Sequence, residues 1–309
     1  MQIGVMEPRH FSTKAKSNLE AYGNVEFFSD GDKAEFLKDK GILFIRLKYK
    51  LDKSFLEMAP ELQYICTPTT GLNHLDLEAV QAREIKVVSL KGESEFLSTI
   101  RATPEHTIGL LLALLRNYKN AFLNTSNSTW NRDLYKGFEI YGKTIGIIGM
   151  GRVGKVLSKY FEVFGADVLY ADIEDVEVPK NVKKSNNMYT LIEESDIVFL
   201  TASYSIENEK MIDEKAIDLM KDKFFINTAR GELVDEEYMI EKAENGHFKG
   251  LALDVINNET DLQNNQLRNL LPLCDNNNII LTPHIAGATY ESMWRTEEFI
   301  VDKLIKEMP

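Results

Sequence analysis

Three side chains suited to proton transfer and anion binding each follow a short apolar run late in the chain. Arg230 lies in Ile226-Asn-Thr-Ala-Arg-Gly-Glu-Leu-Val-Asp235, Glu259 ends Ala252-Leu-Asp-Val-Ile-Asn-Asn-Glu259, and His284 lies in Leu281-Thr-Pro-His-Ile-Ala-Gly287. An imidazole titrates near neutrality and suits general acid–base work. A carboxylate on its other ring nitrogen fixes the tautomer and favours the imidazolium. A guanidinium fork matches a carboxylate and an adjacent carbonyl oxygen. The three together fit removal of a hydroxyl proton while a hydride leaves the same carbon. Any one alone reads most simply as a surface charge or a structural hydrogen bonder. Their shared position at the ends of apolar runs is what points to catalysis.

A second group reads as a phosphate cradle. Lys143-Thr-Ile-Gly-Ile-Ile-Gly149-Met-Gly151-Arg-Val-Gly154 places G-x-G-x-x-G directly after a strand pattern and directly before a helical one, the context in which this spacing binds dinucleotides. Gly149 permits the tight turn, Gly151 lets the backbone approach a pyrophosphate, and Gly154 lets the helix pack on the strand. The N–H groups at that helix start, around Gly151, Arg152 and Val153, favour an anion. Asp172 stands 23 residues after Gly149, closing the strand pattern Asp167-Val-Leu-Tyr-Ala171. Its carboxylate can accept from both adenosine ribose hydroxyls and would repel a 2′-phosphate. Ile173-Glu174-Asp175 supplies no arginine to offset that, so NAD is expected over NADP.

These residues need a sheet to hold them. Strand patterns at 144–148, 167–171, 197–200, 224–227, 250–253 and 279–281 alternate with helical ones such as 153–164 and 236–245. Six strands with crossover helices make a doubly wound parallel sheet, which binds ligands outside the carboxyl ends of its strands. Arg230, Glu259 and His284 then converge on one crevice. The first 100 residues alternate in the same way, with strand patterns at 42–45, 64–66 and 86–89 and a helix over 75–83 that Asn73 or Asp76 can cap. The expected fold class is α/β, with two doubly wound parallel-sheet domains, Rossmann-like and flavodoxin-like, and a cleft between them. Thr103-Pro-Glu105 predicts a helix start with the Thr103 hydroxyl as its cap. The apolar run Ile108–Leu115 predicts a helix buried all round, between domains or subunits. The polar segment 124–133, with Trp130, reads as an arm, and 289–308 as one amphipathic helix returning to the first domain. The expected division is a discontinuous substrate-binding (catalytic) domain, 1–100 with 287–309, and a dinucleotide-binding domain, 101–286.

Composition excludes other classes. The chain has 309 residues, 44% hydrophobic and 27% charged, unlike disordered or collagen-like chains. Its net charge of -12 gives no pull toward nucleic acid. The run Ile108–Leu115 is far shorter than the roughly 20 residues of a membrane span. Met1-Gln2-Ile3-Gly4-Val5 is followed by Glu7, Pro8, Arg9 and His10, so no signal peptide is expected. The two cysteines, Cys66 and Cys274, form no CxxC pair, so neither a disulfide framework nor a metal site is expected. A cytoplasmic protein without nucleic-acid or membrane partners is the expectation.

The chain resembles the D-isomer-specific 2-hydroxyacid dehydrogenases, and is similar to the subgroup that includes phosphoglycerate dehydrogenase. Cys66-Thr-Pro-Thr-Thr-Gly-Leu-Asn-His-Leu-Asp76, Ala102-Thr-Pro-Glu-His-Thr107, the glycine stretch and the three late segments carry the likeness. It implies an NAD-dependent enzyme exchanging a hydride with a D-2-hydroxy acid or 2-keto acid, through an Arg230–Glu259–His284 site. It further implies that Asp254 accepts from the nicotinamide carboxamide, that Thr228 and Gly287 flank the nicotinamide, and that Gly71 and Leu72 bind the substrate carboxylate through backbone N–H groups. The loop Arg46-Leu-Lys48-Tyr49-Lys50 faces substrate in the family, and its positive charges suit a phosphorylated or multiply anionic acid such as 3-phosphoglycerate. Thr201-Ala202-Ser203-Tyr204 departs from the His and Pro often found there, which leaves some family cofactor contacts unmatched. Glu105 and His106 read as structural or interdomain groups. The resemblance implies a homodimer. Formate or phosphite as hydride donor, and a non-enzymatic NAD(H)-sensing interaction protein similar to the C-terminal binding protein corepressors, are the alternatives, since both keep the triad. The chain has no low-complexity recruiting segment of the kind the second would use.

Overall fold

A computed structural model describes residues 1–128, 130–259, 261 and 263–308. The chain divides into two compact units, Met1–Ile100 with the chain from Ala288 onward, and Arg101–Gly287.

In the first unit, β1 (Gln2–Val5), β2 (Asn24–Phe27), β3 (Ile42–Phe44), β4 (Tyr64–Thr67) and β5 (Lys86–Ser89) form one sheet in the order β2-β1-β3-β4-β5, parallel throughout. This is the flavodoxin-like order. Every residue of β3 and β4 is buried, as expected of a sheet covered on both faces. Alternation along the strands splits the core. Ile3, Phe44, Cys66 and Val88 pack with Leu19, Ile300, Val301 and Leu304 on one side, while Leu43, Ile45 and Ile65 pack with Phe55, Leu56 and Val80 on the other. The tail is a single helix, Tyr290–Glu307, started by Thr289, whose hydroxyl accepts from Ser292 N at 3.1 Å. Asp76 rather than Asn73 caps the helix Leu77–Ala82, accepting from Ala79 N at 3.0 Å. That helix starts two residues later than expected because Leu75 is held in a bridge to Leu51. Residues 70–73 are therefore not at a helix N-terminus.

The second unit contains β6 (Thr144–Ile148), β7 (Asp167–Ala171), β8 (Val182–Lys184), β9 (Ile197–Leu200), β10 (Phe224–Asn227), β11 (Gly250–Leu253) and β12 (Ile279–Leu281), in the order β12-β11-β10-β9-β6-β7-β8. All pairs are parallel. The sheet has seven strands rather than six. β8 buries only Val182 and exposes two lysines, too little apolar signal to read as a strand. The order reverses at β6, between β9 and β7, which is the switch point of a doubly wound sheet.

Two expectations need correction here. The helix Ala102–Leu115 begins before Thr103; Arg101 occupies the cap position and makes no side-chain capping bond. Thr103 lies in the first turn, its carbonyl accepting from Thr107 Oγ1 at 2.7 Å. Pro104 still fits, since no N–H in the first turn has an intrahelical acceptor. Nor is this helix buried all round. Leu110, Leu111, Leu114 and Leu115 are buried, whereas Gly109 is exposed and Leu112 half-buried. The segment beyond it is partly ordered, as a helix Tyr118–Ser126 and a 3-10 turn Arg132–Tyr135. Trp130 is 91% exposed; Thr129 in the same arm and Pro309 at the end of the tail lie outside the described residues.

Candidate active site

The glycine turn connects β6 to the helix Arg152–Val163. Gly149 has φ +93°, and a Cβ there would lie 2.5 Å from the backbone of Ala202. At Gly154 a Cβ would meet the Gly149 carbonyl oxygen at 2.5 Å. Those two glycines are thus required by packing against the protein itself. Gly151 differs, because a Cβ built on it meets nothing within 4 Å. The space over Gly151 is open to a ligand. Around it the first-turn N–H groups have no carbonyl to pair with inside the helix, and one buried Arg152 guanidinium nitrogen, Nη1, has no partner among the described residues. Burial, and then the charge of Arg101, lower the pKa of Arg152. An anion over the turn would supply what both groups lack. The Asp172 carboxylate accepts from Met150 N at 2.7 Å and from Glu174 N at 2.9 Å. A carboxylate has about four acceptor positions, so two remain for ribose hydroxyls. The unusual 201–204 loop supports the turn: Thr201 Oγ1 donates to Gly149 O at 2.6 Å. These residues fit a dinucleotide.

Arg230, Glu259 and His284 follow β10, β11 and β12, three neighbouring strands, on the same carboxyl edge. His284 Nδ1 and Glu259 Oε1 are 2.5 Å apart, with both side chains partly exposed. The pairing occupies Nδ1 and leaves Nε2 outside that contact. Arg230 Nη1 donates to Ala229 O at 2.6 Å, one of five N–H donors on the guanidinium. Asn227 shapes this turn, accepting from Ala229 N at 2.9 Å and donating to Arg230 O at 3.0 Å. Gly231 is pressed against the Glu259 loop, since a Cβ on it would lie 2.1 Å from Ile256 C.

His284 itself is held at φ +51°, a left-handed conformation that costs a non-glycine residue about 1–2 kcal/mol. Asp254 holds it there. The Asp254 carbonyl accepts from His284 N at 2.8 Å. Its Oδ1 accepts from Ile285 N at 2.9 Å and from Thr282 Oγ1 at 2.6 Å, and its Oδ2 from Ala286 N at 2.9 Å. Burial pushes this carboxyl up, but His106, Thr282 and the two amides outweigh burial and hold it below the usual carboxylate range. Asp254 is 1% exposed, so its carboxylate faces donors of its own chain. Thr228 is also buried and shares a hydroxyl bond with Thr107 at 3.0 Å, whereas Gly287 is exposed with open space around its Cα.

In the first unit, Lys48 and Lys50 are exposed, while Arg46 is committed to Glu297 and Arg9 O. Half-buried Glu7 shapes the loop, accepting from Arg46 N at 2.5 Å and Lys48 N at 3.2 Å. Lys48 Nζ lies 5.2 Å from the Tyr49 ring centre. Gly71 and Leu72 are half-buried, with Thr69 Oγ1 donating to Gly71 O at 2.9 Å. Asn227, Thr282 and His106 did not emerge from the sequence as site residues. Only the polar ends of the strand patterns marked the first two, and His106 reaches Thr282 Oγ1 at 3.2 Å from a helix far away in sequence.

Comparison with known proteins identifies the family. The family model described as the NAD-binding domain of D-isomer specific 2-hydroxyacid dehydrogenases matches residues 108–286. A glyoxylate reductase of Thermofilum pendens is 34% identical over 285 residues, covering 88% of this chain and 81% of that protein. A D-3-phosphoglycerate dehydrogenase of Methanocaldococcus jannaschii is 31% identical across 100% of this chain, which spans 57% of that protein's length. The solved structure of D-lactate dehydrogenase from Aquifex aeolicus, complexed with NAD and lactic acid, superposes with a TM-score of 0.82 at 27% identity, covering 99% of this chain and 94% of that one. With its two parallel-sheet units and its NAD-binding half, this chain belongs to the D-isomer specific 2-hydroxyacid dehydrogenase family and is an NAD-dependent oxidoreductase.

Proposed function

We propose that Arg230, Glu259 and His284 carry the reaction, with a D-2-hydroxy acid and its 2-keto acid as the substrate pair. The observation that carries this reading is the His284–Glu259 contact at the ends of adjacent strands. His284 Nε2 takes the hydroxyl proton in oxidation and returns it to the carbonyl oxygen in reduction. Glu259 keeps Nδ1 protonated and stabilises the imidazolium. Arg230 holds the substrate carboxylate and polarises the C2 oxygen, an effect commonly worth a few kcal/mol of barrier. NAD, when bound, supplies the hydride acceptor at its nicotinamide. Gly149, Gly151, Arg152, Val153, Gly154 and Asp172 hold its pyrophosphate and ribose, and Thr228, Asp254 and Gly287 border its nicotinamide end.

The proposed substrate-binding residues of the first unit are Lys48, Tyr49 and the N–H groups of Gly71 and Leu72. Two exposed lysines in that loop favour an acid with a second anionic group. The protein is a cytoplasmic homodimer in this reading. Its two cysteines are free, and the exposed apolar surface of Phe122, Leu123, Trp130 and Leu134 suits a partner copy. Light scattering that gives only the monomer mass would remove the dimer. The function is tested by following NADH fluorescence with glyoxylate, pyruvate, hydroxypyruvate and its phosphorylated form. Oxidation by at least one, abolished in His284→Ala, is expected. Silence across the panel with NADH bound would mean a binding protein rather than an enzyme for these acids.

A further inference from the structure

Glu236 opens the helix Glu236–Glu244 that follows the Arg230 turn. A carboxylate in a helix's first turn normally points into water, and Glu237 beside it does. Glu236 is instead turned inward, 4% exposed. Its Oε1 accepts from Asn257 N at 3.0 Å, while Oε2 is buried without a partner among the described residues. An apolar side chain would fill this space at lower desolvation cost. What only an acceptor can do there is hold the Asn257 N–H, and Asn257 lies two residues before Glu259.

The tie falls where the loop most needs one. Asn258, the next residue, is held at φ +52°, and a strained turn persists only when its surroundings over-determine it. Gly231 of the Arg230 turn abuts the backbone of Ile256 and Asn257. Residues 231–236 therefore grip the Glu259 loop twice, by contact at Gly231 and by hydrogen bond at Glu236.

We infer that Glu236 is a positioning residue, whose side-chain oxygen anchors Asn257 so that Glu259 is presented to His284. The inference rests on the catalytic reading above. Its chemistry is acceptance of one backbone hydrogen bond, not charge. A neutral acceptor of the same length therefore does the work, and a shorter carboxylate does not. Burial, with Glu232 acting in the same direction and the Asn257 N–H against both, raises this carboxyl to about 7, so a role that needs no full charge is consistent with its surroundings.

The test uses the whole, cofactor-free protein and reads by NMR the hydrogen-bonded Nδ1–H proton of His284, its signal assigned by loss in His284→Gln. The chain has 5 histidines, few enough to separate. Glu259→Gln is the reference and should move that signal upfield, because a neutral amide oxygen makes a weaker hydrogen bond than a carboxylate. Glu236→Ala and Glu236→Asp should move it in the same direction, and Glu236→Gln should leave it at the wild-type position. Turnover on the keto-acid panel should fall roughly ten- to a hundredfold in the first two. In a Glu259→Gln background, Glu236→Ala should cost nothing further, because the group it positions is already gone. An unmoved His284 in Glu236→Ala and Glu236→Asp overturns the inference, as does a shift in Glu236→Gln with none in Glu236→Asp. If Glu236→Ala does not fold, the glutamine and aspartate variants decide the matter alone. If Glu259→Gln itself leaves His284 unmoved, the pairing falls, and the anchor with it.

Discussion

Adding one methyl group at Gly231 should uncouple chemistry from cofactor binding. A Cβ there would lie 2.1 Å from Ile256 C and 2.2 Å from Asn257 N. Both obstructing atoms are backbone, so no flexible side-chain tip can swing aside. To reach a tolerable 3.0 Å the two segments must part by roughly 1 Å. One segment carries Arg230 and the other carries Glu259. A misplacement of roughly 1 Å costs about a hundredfold in rate, which is about 2.7 kcal/mol of barrier. The stabilisation of up to about 1 kcal/mol that alanine can gain over glycine through the unfolded state does not offset a backbone clash. The glycine turn follows β6, separated from β10 by β9, and should be undisturbed. Gly231→Ala is thus expected to lose about a hundredfold in kcat while NADH, titrated by fluorescence, binds within about threefold of wild type. A thermal melt must first show that the variant is folded. Wild-type kcat in a folded variant would refute the claim that the two segments constrain each other. Equal losses in kcat and NADH affinity would point to general damage instead.

His284→Ala should reduce kcat by about 10²- to 10⁴-fold, the usual worth of a positioned acid–base group, with NADH affinity little changed; surviving turnover would assign proton transfer elsewhere. Asp172→Ser combined with Ile173→Arg, the latter at a fully exposed position, should raise NADP use relative to NAD by about tenfold or more, and an unchanged preference would remove Asp172 from the ribose. Glu236 keeps its proton to about 7 in the fold against a usual 4.5; as pH rises the unfolded chain therefore loses this proton first, and wild-type stability falls across that window by roughly 3 kcal/mol. Glu236→Gln cannot titrate, so it should gain about that much on wild type between pH 4.5 and 8 in urea denaturation, and parallel curves would mean the carboxyl is solvated.

How much of this was legible depends on how directly a pattern reports burial. β6, β7, β9, β10, β11 and β12 match their expected spans residue for residue, because each reads as a short apolar run bounded by polar or turn residues. Two of the four edge strands, β2 and β8, escaped. β2 has no fully buried residue and β8 has one, so neither leaves such a run. β1 is apolar, but it sits at the very start of the chain, where no preceding element prompted a strand reading. The Thr103 cap failed for another reason. Capping chemistry is permissive at the level of residue types, and here the cap moves two residues earlier, from Thr103 to Arg101, with Ala102 buried in the first turn.

The site divides along the same line. Glycine spacing, an acid at a strand end and three polar residues beyond strands are local facts, and the sequence displays them. The supports are not local. Asp254 reaches the 282–286 turn across 28 to 32 residues, and Glu236 reaches Asn257 across 21. Neither reads from spacing, because an acid in either place also serves as a strand-end or helix-start residue. The supports become legible only by asking where each backbone N–H goes. The amides of Ile285 and Ala286 end on Asp254, and that of Asn257 ends on Glu236. Two buried acids thus each fix a loop, one carrying the imidazole and the other its carboxylate partner. The 2.5 Å contact between His284 and Glu259 joins two residues that each sit on or beside a left-handed turn, His284 and Asn258. Turns of that kind relax unless something holds them, which is a physical reason for carboxylates at positions where apolar side chains would cost less to bury.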